Sequence, residues 1–387
     1  MKTCRHFLFV TASCIAFCSH PDLQDAVSDE SDSTTQAERF VGAYIDIHRC
    51  YDSASSVQER QQSIEANVAS MKNSGLNVII PKSTSSSGAA NFPSQLMKYR
   101  FEKDWDPLGE FIEQARERDM AVWPAACILV CGHHRPRGIL EQHPDWAMRD
   151  PEGNPIGFIS PAHPEARAWV VSMLSEIVRR YQPDGLVLDY LRYHNRPIQL
   201  DERSAAEFET ELTAIPSLSD AERADRLQEF RERKLTQLMQ EIHDALKAID
   251  PQLKLAIYTW GPHVIDNHRV GQDWETWVKC GYLDMVNVSG YLYPERNGDN
   301  YLEQLKDKLT ESRSIATQSD HSVSVTFALG VRTSHGEVTS ARQIEDILQA
   351  AQRADIDGVA FFTWNYLQPW LNEVIESESV NRFAVRP

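Results

Sequence analysis

Residues 183–194 read PDGLVLDYLRYH: an apolar run from Gly185 to Leu188 stops at Asp189 and is followed at once by Tyr190, Arg192, Tyr193 and His194. A strand buried on both faces of a parallel sheet shows such a short, continuous apolar run. Ionisable and aromatic residues bunched where the strand stops cannot all be core, so the stretch reads as the floor of a site. Asp184 begins the same strand, belongs to the opposite end of the sheet, and is set aside as a site residue.

The pattern recurs on either side. Strand candidates are FVGAYIDI (40–47), LNVIIP (76–81), MAVWPAACILV (120–130), GLVLDY (185–190), LKLAIYTW (253–260), YLDMVNVSGY (282–291), SVSVTFALG (322–330) and DGVAFFTW (357–364). Helical patterns separate them. Leu108, Phe111, Ile112 and Ala115 fall at helical spacing near 105–118, and Ala166, Val170, Met173, Leu174, Ile177, Val178 and Tyr181 form one stripe behind Pro164, which suits a first turn. A charged stretch of about 202–249 reads as a solvated helical insertion after strand four, forming a wall of the cleft. Strict strand–helix alternation over eight units predicts a single-domain α/β fold, the (β/α)8 TIM barrel, over an open doubly wound sheet. No Gly-rich phosphate fingerprint follows the first strand, which argues against a nucleotide site. In such a barrel the chemistry sits at the C-terminal ends of the strands.

The chain of 387 residues is 42% hydrophobic and carries a formal charge of −17. Polyanion binding needs clustered Lys and Arg to replace counterions, so nucleic acid is excluded as a partner. Residues 1–18 place Lys2 and Arg5 before an apolar stretch, the pattern of a secretory signal peptide. Thr11-Ala12-Ser13-Cys14 fits a relaxed lipoprotein box with Cys14 as the lipidated residue; Cys18 is the poorer candidate because Phe17 precedes it. Residues 19–39 are acidic, rich in Ser and Thr, and read as a disordered tether, leaving 40–387 for the barrel. No later segment offers the ~18 apolar residues of a membrane helix. The expectation is an exported protein, periplasmic, extracellular or held at the envelope by a lipid anchor, without an integral membrane span. Beyond the signal, Cys50, Cys127, Cys131 and Cys280 are too few and scattered for a disulfide framework.

The strand ends supply the candidate site. Asp46, His48 and Arg49 follow strand one, with Tyr44 inside it; Lys82 and a Ser-rich loop follow two; Cys131, His133 and His134 follow three, with Trp123 inside it. Tyr190, Arg192, Tyr193 and His194 follow Asp189 on four, then Trp260 and His263 on five, Tyr291, Tyr293 and Glu295 on six, Arg332, His335 and Glu337 on seven, and Trp364, Asn365 and Tyr366 on eight. Aromatic faces stack on the C–H faces of sugar rings while carboxylates and Arg take the hydroxyls. The census predicts a carbohydrate substrate, with neutral or amino-sugar oligosaccharides expected. Its binding set is Tyr44, His48, Trp123, His133, Tyr190, Arg192, Tyr193, Trp260, Tyr291, Tyr293 and Trp364.

Glycosidic hydrolysis usually needs two carboxyl groups, one protonated and one ionised. Asp189 is the first choice, against a structural role paired with Arg192 or Arg49. For the second the ranking is Glu295, Asp46, then Glu337. Cys127, Cys131, His133 and His134 lack the second half of a zinc pattern, and no nucleophile elbow starts a Ser-His-Asp triad, so neither a metal nor another cofactor is assigned.

The succession DPLGEFIEQARERDMAVW, HPDWAMRDPEGN, PAHPEARAWVVSMLSEIVRRYQPDGLVLDYLRY, GQDWETWVKCGYLDMVNVSGYLYP and DGVAFFTW resembles the family-10-like glycosyl hydrolases of bacteria, often exported lipoproteins with a (β/α)8 barrel. The resemblance covers about residues 40–370 and is most specific in the PDGLVLDYLRY and WETWVKCGYLDMV blocks. It implies a glycoside hydrolase. Members of that family commonly carry paired acids at the end of strand four, whereas Leu188 precedes Asp189 here, so the second carboxyl must come from elsewhere. The competing reading is a carbohydrate-binding barrel that has lost a catalytic acid.

Overall fold

The computed structural model describes residues 39–384 except 103, 216, 268, 269 and 377. The segment read as signal peptide, and all of the tether except Arg39, lie outside the described residues. Eight parallel strand segments build the main sheet: β1 (Phe40–Ile45), β2 (Val78–Pro81), β3 (Ala121–Val122 and Ala125–Cys127), β4 (Gly185–Asp189), β5 (Lys254–Thr259), β6 (Met285–Gly290), β7 (Ser324–Gly330) and β8 (Gly358–Phe362). The order is 3-2-1-8-7-6-5-4-3, because the first half of β3 pairs with β2 and its second half with β4. Pro124, which has no N–H to give, sits between the halves. The two ends of the sheet thus share one segment, and the sheet closes into a barrel.

A ring of side chains fastens the N-terminal end. Asn77, Asp184, Asp284 and Asp357 each stand one residue before an even-numbered strand. Their side chains accept from the N–H groups of Val41 (2.9 Å), Val122 (2.8 Å), Leu255 (2.9 Å) and Val325 (2.7 Å), at the start of the preceding odd-numbered strand. Strand termini leave such donors unpaired, and these four residues satisfy them. Asp184 is therefore a structural acid at the barrel bottom, as its sequence position predicts.

Helices cover the outside: α1 (Val57–Asn73), α2 (Pro107–Arg116), α3 (Pro164–Tyr181), α4 (Glu202–Leu212), α5 (Asp220–Ile249), α6 (Trp274–Lys279), α7 (Tyr301–Ala316) and α8 (Ala341–Arg353). Their starts are chemically marked. Ser56 with Glu59, and Ser219 with Glu222, form capping boxes, and Pro164 opens α3. Strand alternation sorts the core in two. On β4, Leu186 and Leu188 face the helices, while Val187 joins Tyr44, Val78, Ile80, Trp123, Ala125, Ala256, Met285, Ala328 and Ala360 inside the barrel.

Two sequence expectations need correction. The run 120–130 is not one strand: the barrel part ends at Cys127, and Val130–His133 pairs antiparallel with Pro155–Ile159, which also pairs with Ala147–Arg149. The charged stretch 202–249 is helical, as two helices, but its expected place is wrong. It does not line the cleft: α5 packs on α3, and Phe208, Leu212 and Phe230 close a small core of their own with Ala162.

Candidate active site

Strand periodicity aims the site. The inward residues Val187 on β4, Tyr44 on β1, Ala256 on β5 and Ala360 on β8 are each followed two residues on by a side chain at the C-terminal mouth: Asp189, Asp46, Tyr258 and Phe362. There they border a cleft of about 890 Å³. On the far side, the antiparallel excursion after β3 adds His133 and Phe158, and Ser85, Ser86 and Ser87 of the loop after β2 add hydroxyls. Tyr258, Tyr291 and Phe362 form a run of rings with centroids 6.0 and 5.5 Å apart, and Tyr44 meets Phe362 edge-on at 5.3 Å. The Tyr44 hydroxyl donates to Asn287 Oδ1 at 3.2 Å, and the Asn287 amide donates to Thr326 at 2.8 Å, which pins that ring at the base of the cleft.

Asp189 stands low among these groups. Its Oδ1 accepts from the Tyr190 N–H at 2.7 Å, and its backbone carbonyl accepts from Ile128, locking the strand end to β3. Burial pushes its carboxyl above the ordinary aspartate range, opposed by the Tyr190 N–H and the charges of Arg192 and Lys82. Tyr190 itself has φ +55°, a left-handed conformation that costs a non-glycine residue energy and turns the chain so that Tyr190 and Arg192 both reach the cleft. The Arg192 guanidinium lies between the Tyr190 and Trp260 rings, 4.9 and 4.7 Å from their centroids.

Asp46 is the only other carboxylate among the described lining residues. Lys82 donates to its Oδ1 at 2.6 Å, and Arg49 stands 3.8 Å from its Oδ2. The two acids thus occupy opposite environments. Asp189 is desolvated, with no cation in direct contact among the described residues, while Asp46 rests against an ammonium. Charging is disfavoured at the histidines around the mouth: burial, and then neighbouring charged groups, lower His133 and His335, and burial takes His194 down to about 4. His48 is lowered too, chiefly by burial and against the pull of Asp46. Burial keeps the Tyr44, Tyr258 and Tyr291 phenols protonated as donors.

Of the residues selected from sequence, Asp189, Asp46, Tyr44, His48, His133, Tyr190, Arg192, Trp260 and Tyr291 meet in this one cleft. Five do not. Glu295 lies exposed in the turn Pro294–Asn297 while its neighbour Arg296 faces the cleft. Trp123 fills the barrel interior below the site, edge-on to Phe40 and so close to β4 that a Cβ at Gly185 would sit 2.5 Å from its ring. Tyr193 is 1% exposed beneath Arg231, because the turn at Tyr190 reverses the strand alternation. Tyr293 is buried with its hydroxyl donating to the Gly330 carbonyl at 2.9 Å. Trp364 begins a helical turn at once after β8 and is carried outward, where its Nε1 donates to Asn67 of α1 at 2.8 Å. The third-ranked Glu337 is exposed and paired with Arg332 at 3.2 Å. The sequence reading missed Tyr258, Phe158, Arg100 and Lys308. Tyr258 was recoverable, being two residues before Trp260 on one strand face; the others come from a loop, the excursion and a helix flank, where no periodicity marks them.

A segment of the chain is 27% identical over 128 residues to an S-layer-related protein of Niallia circulans, and another comparison gives 26% over 164 residues with the glycosyl hydrolase YngK of Bacillus subtilis. These alignments cover 29% and 41% of this chain, and only 8% and 30% of those relatives' lengths. The fold is similar to that of the PgaB (BpsB) glycoside hydrolase domain of Bordetella bronchiseptica, with a TM-score of 0.65 at 13% identity, covering 89% of this chain and 98% of that domain. Residues 43–322 match the family described as glycosyl hydrolase-like 10. That match takes in the barrel from the second half of β1 through β6, both cleft acids and most of the cleft lining, and the chain belongs to the glycosyl hydrolase-like 10 family.

Proposed function

We propose that this protein is a glycoside hydrolase that cleaves O-glycosidic bonds of a poly- or oligosaccharide, with Asp189 as general acid and Asp46 as the second carboxylate. One observation carries the reading: two carboxyl groups share one aromatic-lined cleft in unlike surroundings, Asp189 desolvated and raised by burial, Asp46 in contact with the Lys82 ammonium. Pairs of acids in opposed environments are how a single site runs acid and base chemistry at one pH. Asp189, whose hold on its proton burial strengthens, delivers that proton to the leaving oxygen. Asp46, against Lys82, supplies the negative charge that meets the oxocarbenium-like centre or activates water. Family membership and the likeness in fold to a glycoside hydrolase domain support the coarser part of this reading, a glycosidase.

The alternative, a binding barrel without turnover, draws on the Lys82–Asp46 contact, which also suits a structural ion pair, and on Leu188 in place of a second acid on β4. Reducing-end release from a panel of polysaccharides separates them. Release by the parent that disappears in both Asp189→Asn and Asp46→Asn, with saccharide binding retained, supports catalysis. Binding without release by the parent supports the alternative, and neither binding nor release sinks the carbohydrate reading. Among the described residues no helix is long and apolar enough to cross a membrane. We further propose export with lipidation at Cys14, supported by the signal pattern of residues 1–18. Palmitate labelling in the native host that survives Cys14→Ser rejects that anchor.

A further inference from the structure

The cleft is positively charged in a protein of net charge −17. Lys82, Arg100, Arg192, Arg296 and Lys308 line it, against Asp46 and Asp189 alone among the described residues. Only Lys82 is neutralised, by Asp46. Within the described residues, none of the other four has a carboxylate at ion-pair distance. Arg192 donates to the Tyr193 carbonyl at 3.0 Å and is otherwise held by ring faces. Lys308 reaches in from α7 and donates to the Ser289 carbonyl at 3.2 Å. Arg296 bonds to the neutral side of His335, and Arg100 makes only a 3.4 Å contact with Asn91.

Half-buried cations without counter-charges are costly, and burial lowers both Arg192 and Lys308. Tuning of Asp189 accounts for part of the array, since Arg192 and Lys82 act on that carboxyl. It does not account for Arg100, Arg296 and Lys308, which are not among the charges acting on it. These three enter from the loop after β2, the turn after β6 and helix α7, so they surround the mouth rather than the acid. A cleft lined with one sign of charge concentrates ligands of the other. Guanidinium groups, moreover, match carboxylate and sulfate oxygens in pairs.

We propose that the cleft takes an acidic glycan, one whose sugars carry carboxylate or sulfate groups, and that Arg192, Arg296 and Lys308 receive those anions. The inference rests on the carbohydrate reading of the site. It departs from the neutral or amino-sugar ligand expected from sequence, in that a protonated amine would enter against four cations that have no carboxylate partner among the described residues.

The test compares each acidic oligosaccharide with its own neutral form on the full chain by calorimetry: oligogalacturonate against its carboxyl-reduced product, and sulfated carrageenan oligosaccharides against the desulfated ones. Expected is binding of at least one acidic form about tenfold or more tighter than its neutral form at low salt, weakening as NaCl rises. The carboxylate and sulfate arms identify which anion is used. The preference should shrink several-fold in Arg296→Gln, an exposed position that tolerates the change, and further with Lys308→Gln added. Equal binding of acidic and neutral forms overturns the inference and leaves the carbohydrate reading standing. An acidic preference unchanged in the double variant overturns the residue assignment. If no saccharide of any kind binds, the carbohydrate reading fails and this inference falls with it. The salt and neutral-ligand arms need only the parent protein, so they decide even if a variant misfolds.

Discussion

The ends of β4 and β8 offer the same ingredients in sequence, GLVLDYLRY and GVAFFTWNY, each an apolar run that breaks into aromatic residues. They do opposite things. On β4 the inward alternation of Val187 is continued by Asp189, and the left-handed turn at Tyr190 brings Tyr190 and Arg192 to the cleft. On β8 the alternation ends with Phe362 in the cleft, a helical turn starts at Trp364, and that indole is fully buried against α1. Residue type at a strand end says what chemistry is available. The backbone direction over the next two residues says whether that chemistry faces substrate or core.

The sharpest break of the comparison is Asp189→Asn. It should lower hydrolysis by about 10²- to 10⁴-fold, the range for losing a general acid, with saccharide affinity nearly unchanged in calorimetry. Normal turnover in the folded variant would move the acid role to Asp46. Trp364→Ala should act on the other axis, costing about 3–5 kcal/mol in denaturant unfolding while the folded fraction binds as the parent does. Weakened binding with unchanged stability would place Trp364 in the cleft after all. Trp260→Ala should be the mirror image, weakening saccharide binding by about tenfold through lost stacking and a loosened Arg192, with stability little altered. The smallest effect belongs to Glu295→Gln, within about 0.5 kcal/mol in stability and without change in rate, as suits an exposed turn. A large rate loss there would restore it as the second carboxyl.

The pH dependence follows from the direction of the Asp189 shift. Facing this carboxyl are Tyr44, Tyr190, Tyr258 and Tyr291, the Cys127 thiol, and the cations Arg192 and Lys82. The folded protein holds the proton more tightly than the unfolded chain. Its stabilising contribution is complete below the unfolded aspartate value and is lost as pH rises through the higher folded value. As general acid, Asp189 must also be protonated, so kcat/KM should fall over the same rise, on a limb above the ordinary aspartate range of about 3.9. Asp189→Asn should remove the stability loss on that limb; a parent rate that stays flat there would reject the acid role.

Much of this was legible in the linear chain. Apolar runs alternating with helical stripes are long-range and redundant, so eight strands and the barrel survive local errors such as the overlong third strand, which Pro124 and the excursion interrupt. The position of Asp189 was legible for the same reason, since period-two alternation from Val187 aims it into the mouth. The ring of Asn77, Asp184, Asp284 and Asp357 was also written there, one residue before each even strand, and would have sharpened the boundaries. Glu295, Tyr193, Tyr293 and Trp364 were misplaced because each lies where the strand has ended and no period governs the side chain.

By itself, then, the sequence determined the barrel, the end that carries the cleft and the place of Asp189 in it, because hydrophobic periodicity is a property of neighbours along the chain. Only the tertiary structure decided that Asp46 and not Glu295 shares the cleft. It alone brought Arg100, Arg192, Arg296 and Lys308 to one mouth from four separate segments. Charge in a cleft is a sum over space: an overall charge of −17 conceals a local excess of cations, because the acids that outnumber them lie elsewhere in the chain.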